Sequence, residues 1–325
     1  MAGWLKTVLA GAVLAFGLGA AQAQQPYPNK PIIAIVPYAP GGNTDVIGRI
    51  VLEHMASTLG QPIVVENVGG AGGTTGSTRA ARAANDGYTI LVGQMGTHGA
   101  SPALYPNLGY NPVTDFAHIS QLTDTPIAIF VRKGLPVKDL AEFIAMLKAS
   151  PDKLNNGHGG VGATSHISCL YLTSLVGARA PMIPYRGSGP ALQDLIAGNH
   201  DFMCDQIPHT VPHLRGGSIR ALAIAMPARA EVLPNTPTTT EAGLPQFQAS
   251  GWNAVFAPKD TPAPIVARLA AAVDLALKDA GVRKKLEDLG AIIPARTGPQ
   301  ALEQLVASEV AKWTPVLKAA NLTLN

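Results

Sequence analysis

A chain of 325 residues with 24 Lys+Arg against 21 Asp+Glu, a net charge of +3 and only 14% charged residues is long enough for a full core and too weakly charged for a polyanion-binding surface. Its Lys and Arg are spread without a basic run, which excludes nucleic acid and an anionic membrane face as leading partners. No low-complexity tract or internal repeat stands out.

The chain opens with an address. Met1 to Lys6 is short and basic, Thr7 to Leu18 is apolar, and Ala21-Gln22-Ala23 is a small-residue cleavage motif, so 1–23 reads as a secretory signal removed after Ala23. The apolar run falls short of the ~20 residues that a spanning helix needs. The segment holds no cysteine for an acylated anchor, and the mature chain of about 300 residues is expected to be a diffusible periplasmic protein of a two-membrane host.

A strand over 32–36 leads through Pro37-Tyr38-Ala39-Pro40-Gly41-Gly42-Asn43-Thr44-Asp45 into a helix over 45–59, with apolar Ile47, Ile50, Val51, Met55 and Leu59 at helical spacing. Consecutive glycines after a strand let backbone approach a ligand closely, and the N–H groups of the next helix favour negative charge. The same stretch also reads as a plain turn capped by Asn43, Thr44 or Asp45, and by itself it leaves both readings open.

Strands near 63–66, 88–92, 127–131, 181–184, 201–204 and 220–225 then alternate with helical patterns near 139–149, 164–176, 189–197, 264–279 and 300–319. This is α/β order with mainly parallel sheets. Glycines gather after strands, at Gly41-Gly42, Gly69 to Gly76, Gly93 with Gly96, Gly157 to Gly162, and Gly187 with Gly189, where α/β folds bind ligands. Thr123-Asp124-Thr125-Pro126 and Ala249-Ser250-Gly251-Trp252-Asn253 break the pattern. They divide the chain into a discontinuous first domain, 24–124 plus 252–325, and an inserted second domain, 125–251, with a cleft between them.

Catalytic signatures are weak. Gly157-His158-Gly159-Gly160-Val161-Gly162 matches the dinucleotide fingerprint literally, but no acidic residue follows about 20 positions on. What survives is a helix start with Thr164 and Ser165 as caps or hydroxyl donors. The run Gly69 to Gly76 lacks the lysine of a phosphate loop, and Gly187-Ser188-Gly189 lacks nucleophile-elbow spacing. An exported hydrolase using Ser165, His166 and Asp205 remains the rival reading, without triad spacing to support it. His209 and His213 stand four apart across Pro212 with no following glutamate, so solvated surface histidines are expected rather than a metal pair. Trp252 is read as a domain-junction residue or a ligand wall and Trp313 as a packing residue. Cys169 and Cys204 form either a disulfide or a pair of small buried hydrophobes.

Several phrases together resemble one family across nearly the whole mature chain. They are Tyr27-Pro28-Asn29-Lys30-Pro31, Val36 to Asp45, Leu59-Gly60-Gln61-Pro62, Val65-Glu66-Asn67, Asp86-Gly87-Tyr88-Thr89, Thr97-His98 and Thr164-Ser165-His166. Pro184-Tyr185-Arg186-Gly187 with Pro190-Ala191-Leu192, Pro237-Thr238 with Glu241-Ala242-Gly243-Leu244-Pro245, and Ala257-Pro258 continue the match. The chain resembles the Bug receptors, periplasmic solute-binding proteins of tripartite tricarboxylate transporters.

The resemblance implies a two-domain periplasmic-binding-protein (Venus flytrap) fold that captures a small carboxylate, foremost a dicarboxylate, as a monomer without cofactor or metal, and presents it to membrane permease subunits. A sensor that docks on a membrane kinase would use the same closure. First-domain binding residues would be Tyr38, Pro40, Gly41, Gly42, Thr44 and Asp45, then Gly93, Met95, Thr97 and His98. Gly160, Gly162, Thr164, Ser165, His166, Arg186, Gly187, Ser188 and Asp205 would close from the second. Two departures are Val68-Gly69, where the family often has Arg-Pro, and Met203-Cys204-Asp205-Gln206, where many relatives carry Phe-Asp-Asn. With Cys169, the latter resembles a subgroup bearing a cysteine pair, which implies the disulfide.

Overall fold

The computed structural model describes residues 27–319, so the expected signal and its cleavage point lie outside the described residues. The order runs β1 (Ile32–Val36), α1 (Asn43–Leu59), β2 (Ile63–Asn67), α2 (Thr74–Ala81), β3 (Thr89–Gln94), a π-helical turn over Gly96–Ala100, α3 (Ser101–Leu104) and β4 (Phe116–Arg132). Next come α4 (Leu140–Ala149), β5 (Asn156–His158), α5 (Thr164–Val176), β6 (Met182–Pro184), α6 (Ser188–Ala197), β7 (Phe202–Gln206), α7 (Val211–Arg215) and β8 (Ile219–Ile224). The described chain closes with β9 (Ser250–Pro258), α8 (Ala263–Lys278), α9 (Ala280–Glu287) and α10 (Pro299–Ala319).

Two lobes share one strand path, β2-β1-β3-β9-β4-β7-β5-β6, with β8 also on β4. The 17-residue β4 belongs to both lobes: Phe116 to Pro126 pair with β9, and from Ile127 its partners become β7 and, from Ala128, β8. The α/β flytrap class holds, but "mainly parallel" needs correction. β1 with β2 and β3, and β5 with β6 and β7, are parallel, whereas every pairing of β4 and β9 is antiparallel. Helical crossovers make the parallel pairs, while the strands that carry the chain between lobes enter from the opposite direction.

Each lobe buries both faces of its sheet, which explains why the central strands read as continuous apolar runs. In the first lobe Ile32, Ala34 and Val36 face α1, α8 and α9, while Ile35 and Leu91 face α2, α3 and α10. In the second, Ile127, Ile129 and Val131 face α4 and α5, and Ala128 and Phe130 face α6.

The two segments read as pattern breaks are strands. Thr123 to Pro126 pair with Asn253 back to Ser250, and the side chains of Thr125 and Asn253 are met inside the protein. Thr125 Oγ1 accepts from Gln206 Nε2 at 2.6 Å, and Asn253 bonds both Asn43 (2.7 Å) and Thr44 (3.2 Å). A strand passing between two cores behind a polar cleft lacks the apolar alternation by which strands are recognised. Trp252 lies in the first-lobe core with its indole N–H donating to Glu309 Oε2 at 3.2 Å, and Trp313 donates to the same oxygen at 3.0 Å. Trp252 is therefore a packing residue and forms no ligand wall.

Candidate ligand-binding cleft

Where the lobes meet, the starts of three helices converge. Gly42, Asn43 and Thr44 begin α1, Ala163, Thr164 and Ser165 begin α5, and Ser188 begins α6; with Tyr38, Gln94 and Gln206 they line a cavity of about 10 Å³. That is close to one water's worth of space, so the cleft is shut. Each segment follows the carboxyl end of a strand: β1, β3, β5, β6 or β7. A helix leaves its first-turn N–H groups without intrahelical acceptors and carries positive potential at that end, so three such ends around one cavity make a field for an anion.

The lining bears no lysine or arginine. Burial pushes His158 down to about 4 and His166 to about 3, the latter also by His158, so both imidazoles are neutral at physiological pH. His166 Nδ1 accepts from Gly162 N at 3.2 Å, which leaves its proton on Nε2. Tyr38 is held well above the ordinary phenol range, chiefly by burial, and serves as a donor to Gly72 O at 2.9 Å. Gln94 Nε2 donates to the Tyr38 hydroxyl, and Thr164 Oγ1 donates to Gln94 Oε1 across the cleft.

Asp45 shapes the first loop without lining the cavity. Its Oδ2 accepts from Gly41 N at 3.0 Å, and its Oδ1 accepts from Arg49 Nε and Asn67 Nδ2, both at 2.9 Å. Gly41 turns at φ +82°, a conformation that favours glycine, and Asp45 pins it there. Burial raises the Asp45 carboxyl, but the hydrogen bonds from Arg49, Gly41 and Asn67 and the Arg49 charge outweigh it and hold the group below the usual carboxylate range. Its stabilising bonds are accordingly present above that range and lost as pH falls through the depressed folded value. Replacing Asp45 by Ala is expected to weaken ligand affinity about fivefold with the fold intact, because losing the bond that pins Gly41 N and orders the first loop is worth ~1 kcal/mol. Titration calorimetry of this variant checks it, and wild-type affinity would remove Asp45 from the site's supporting residues.

The remaining expected residues divide by position. Gly93, Met95 and His98 belong to the first-lobe core: a Cβ on Gly93 would meet the His98 ring at 2.6 Å, Met95 is fully buried, and His98 stacks on Phe256 with centroids 3.9 Å apart. Burial holds His98 well below the ordinary imidazole range. Thr97 orders Gln94 by accepting from its N–H (3.2 Å) and donating to its carbonyl (3.1 Å). Arg186 turns its side chain to solvent, and only its carbonyl takes part, accepting from Ala39 N across the lobes at 2.9 Å. Pro40, Gly160, Gly162 and Gly187 lie on the seam where lobe backbones touch. Asp205 stands behind Ser188 and Gln206. Asn43, Gln94, Ala163 and Gln206 also line the cavity; the sequence marks Asn43 only as a helix cap and the others not at all as individual binding residues, although Asn43, Gln94 and Gln206 are polar residues within or beside the glycine loops and strand ends.

No hydrogen bond joins Ser165, His166 and Asp205 among the described residues. Ser165 Oγ accepts from Gly159 N at 2.9 Å, His166 accepts from Gly162, and Asp205 accepts from Gln206 N, so the drawn triad is not assembled. His209, expected at the surface, is buried, because the turn after β7 tucks it behind Asp205 with Nε2 3.7 Å from Oδ2. Cys169 of α5 and Cys204 of β7 are disulfide-bonded, with Cα atoms 5.1 Å apart.

Comparison with known proteins agrees with this architecture. Residues 47–322 match the tripartite tricarboxylate transporter family receptor model. Protein BugT of Bordetella pertussis is 34% identical over 309 residues, 95% of this chain and 94% of that protein. Among solved structures, MatC (Rpa3494) from Rhodopseudomonas palustris with bound malate is 47% identical at a TM-score of 0.87, covering 90% of this chain and all of that one. Rpa4515 of R. palustris with adipate is 32% identical at a TM-score of 0.88, covering 92% and 100%. The chain belongs to the tripartite tricarboxylate transporter receptor family, whose Bug-type members are solute-binding proteins and not enzymes.

Proposed function

We propose that this chain is a periplasmic receptor that captures a small dicarboxylate by closing two lobes on it and hands it to the permease subunits of a tripartite transporter. The observation that carries the reading is the convergence of three helix starts on a cation-free cavity between the lobes. Malate and adipate in two similar proteins support a diacid. One carboxylate would take the first-lobe donors at Gly42, Asn43 and Thr44, while Thr164, Ser165, Ser188 and Gln206 close over the remainder. Water bridges suit such a site, which must hold firmly and still release.

The division into 24–124 plus 252–325 and 125–251 is part of the proposal, with β4 and β9 as the hinge strands. Its support is the change of β4's partners after Pro126, opposite Ser250. Export through the segment 1–23 and action as a monomer complete the reading. No helix among the described residues is long and apolar enough to cross a membrane.

The test is a thermal-shift screen of the mature protein against diacids, monoacids, amino acids and sugars. A diacid at 100 times its dissociation constant should stabilise the fold by about 2.7 kcal/mol and raise the midpoint accordingly. A shift with amino acids or sugars and none with any diacid would overturn the proposal.

A further inference from the structure

Behind the cation-free lining stands one carboxyl that the binding scheme does not use. Asp205 is the penultimate residue of β7, next to the lining residue Gln206, and is wholly buried. Its Oδ1 accepts from Gln206 N at 2.8 Å, while its Oδ2 has no donor. The Ser188 side chain approaches from the start of α6, and among the described residues the Tyr38 phenol is the first-lobe group within electrostatic reach, its hydroxyl bonded to Gly72 and Gln94. His209 Nε2 lies 3.7 Å from Oδ2 in the turn after β7, with His213 of α7 next to it. On β4 the residue paired with it is Ala128. On β5, at the other edge, His158 lies against His166 with ring centroids 4.5 Å apart. At α6, His200 is tied to Ala191 O at 2.8 Å and Tyr185 to Asp194 at 2.7 Å. Among the described residues no lysine or arginine is bonded to Asp205 or ion-paired with it.

A dianion entering this cleft therefore meets a carboxyl with no counter-charge, and two like charges in a dry cavity cannot both remain without a large cost. We propose that Asp205 carries a proton that the protein takes up when it closes on a diacid, so that capture tightens in acid and loosens in base. This rests on the reading of the cleft as a diacid site. The neighbours are consistent with it: burial pushes Asp205 up to about 7, against the opposing effects of Ser188 and the Gln206 amide, and pushes His209 down to about 3, so the imidazole supplies no positive charge. For this, opening the cleft has to let water reach the carboxyl and lower its pKa toward the ordinary range, a change that closure reverses. The closed, liganded state is then favoured at low pH, and that advantage is lost as pH rises through the closed-state value.

The experiment is calorimetric titration of malate and adipate into the mature protein in two buffers of different ionisation heat. Both malate carboxyls are ionised above about pH 6.5, so any proton taken up belongs to the protein. The expected result is uptake of most of one proton at about pH 6.5, falling almost to zero by about pH 8.5, with affinity about fourfold weaker at about pH 8.5 than at about pH 6.5. D205N should abolish the uptake and flatten the pH profile, whereas H209Q should retain both. Binding with equal heats in the two buffers and a flat wild-type profile overturns the proton proposal and leaves the diacid reading standing. Binding of no diacid at any pH overturns both.

Discussion

Replacing Gly189 by Ala is expected to weaken diacid capture about 100-fold, on the order of 2.7 kcal/mol, while leaving the unliganded melting temperature unchanged or slightly raised. Gly189 lies in the first turn of α6 with ordinary helical geometry, so Ala removes backbone freedom from the unfolded chain and suits the helix, a gain of up to about 1 kcal/mol. Its added Cβ would nevertheless sit 2.3 Å from Pro40 O and 3.0 Å from Gly42 N, both in the other lobe. Neither atom can yield, because both are backbone, one beside and one at the cap of α1. The clash exists only in the closed form, so the cost falls on closure and hence on affinity. Gly72 makes the complementary case: a Cβ there would lie 1.9 Å from Val161 O, but its φ of +61° adds strain in any state, so G72A should lose stability as well. Calorimetry and an unliganded melt of G189A together check the first claim. Wild-type affinity in that variant would show that the lobes do not close this far around a ligand.

Reduction of Cys169–Cys204 is expected to lower the unfolding free energy by about 3–4 kcal/mol, the constraint that a loop of this size places on the unfolded chain. The bridge spans 35 residues and joins α5 to β7. Asn156 adds to the junction, its Nδ2 donating to Cys169 Sγ at 2.7 Å and to Phe202 O at 3.1 Å. Both joined elements bring residues to the cleft, Thr164 and Ser165 from the first and Gln206 from the second. Reduction is thus expected to weaken ligand binding at temperatures where the protein stays folded. Denaturant midpoints with and without reductant measure the first effect, and titrations under the same two conditions measure the second. Alkylation of both thiols in denatured, non-reduced protein would show that no bridge exists.

Asp205 and Gly189 share a lesson about closure. The sequence places glycine-rich turns where α/β folds bind ligands, and Gly42 and the turns before Thr164 and Ser188 do open helices onto the cavity. In the structure many of these glycines serve a second purpose: Gly69 lies against Arg186 O, Gly96 against Gly162 O, Gly160 against Gly72, and Gly187 against Ala39 N. Absence of a side chain lets two backbones from different lobes come within contact, which a real Cβ would prevent.

Much of the architecture was legible in the chain. Apolar runs of three to six residues at β1, β3, β7 and β8, and the 3.6-residue spacing of Ile47, Val51 and Met55 on α1, are local patterns that survive folding unchanged. The turn chemistry of Gly41-Gly42 and of Gly187 likewise announces where helices begin, and the loops expected to bind ligand are those that line the cleft. Which side chain within each loop faces the cavity was not legible. Gln94 and His98 lie four residues apart, yet the π-helical turn sends one toward Tyr38 and Thr164 and the other into a stack with Phe256. Nor could β9, or the first half of β4, be read from periodicity, since strands shared between two cores carry polar residues that bond only to distant partners. Local sequence determined most of the elements and the positions of the helix starts that open onto the cleft. Tertiary structure alone decided which of those starts meet, because contacts such as Gly189 with Pro40 and Asn253 with Asn43 join residues far apart in the chain, and no local pattern encodes that proximity.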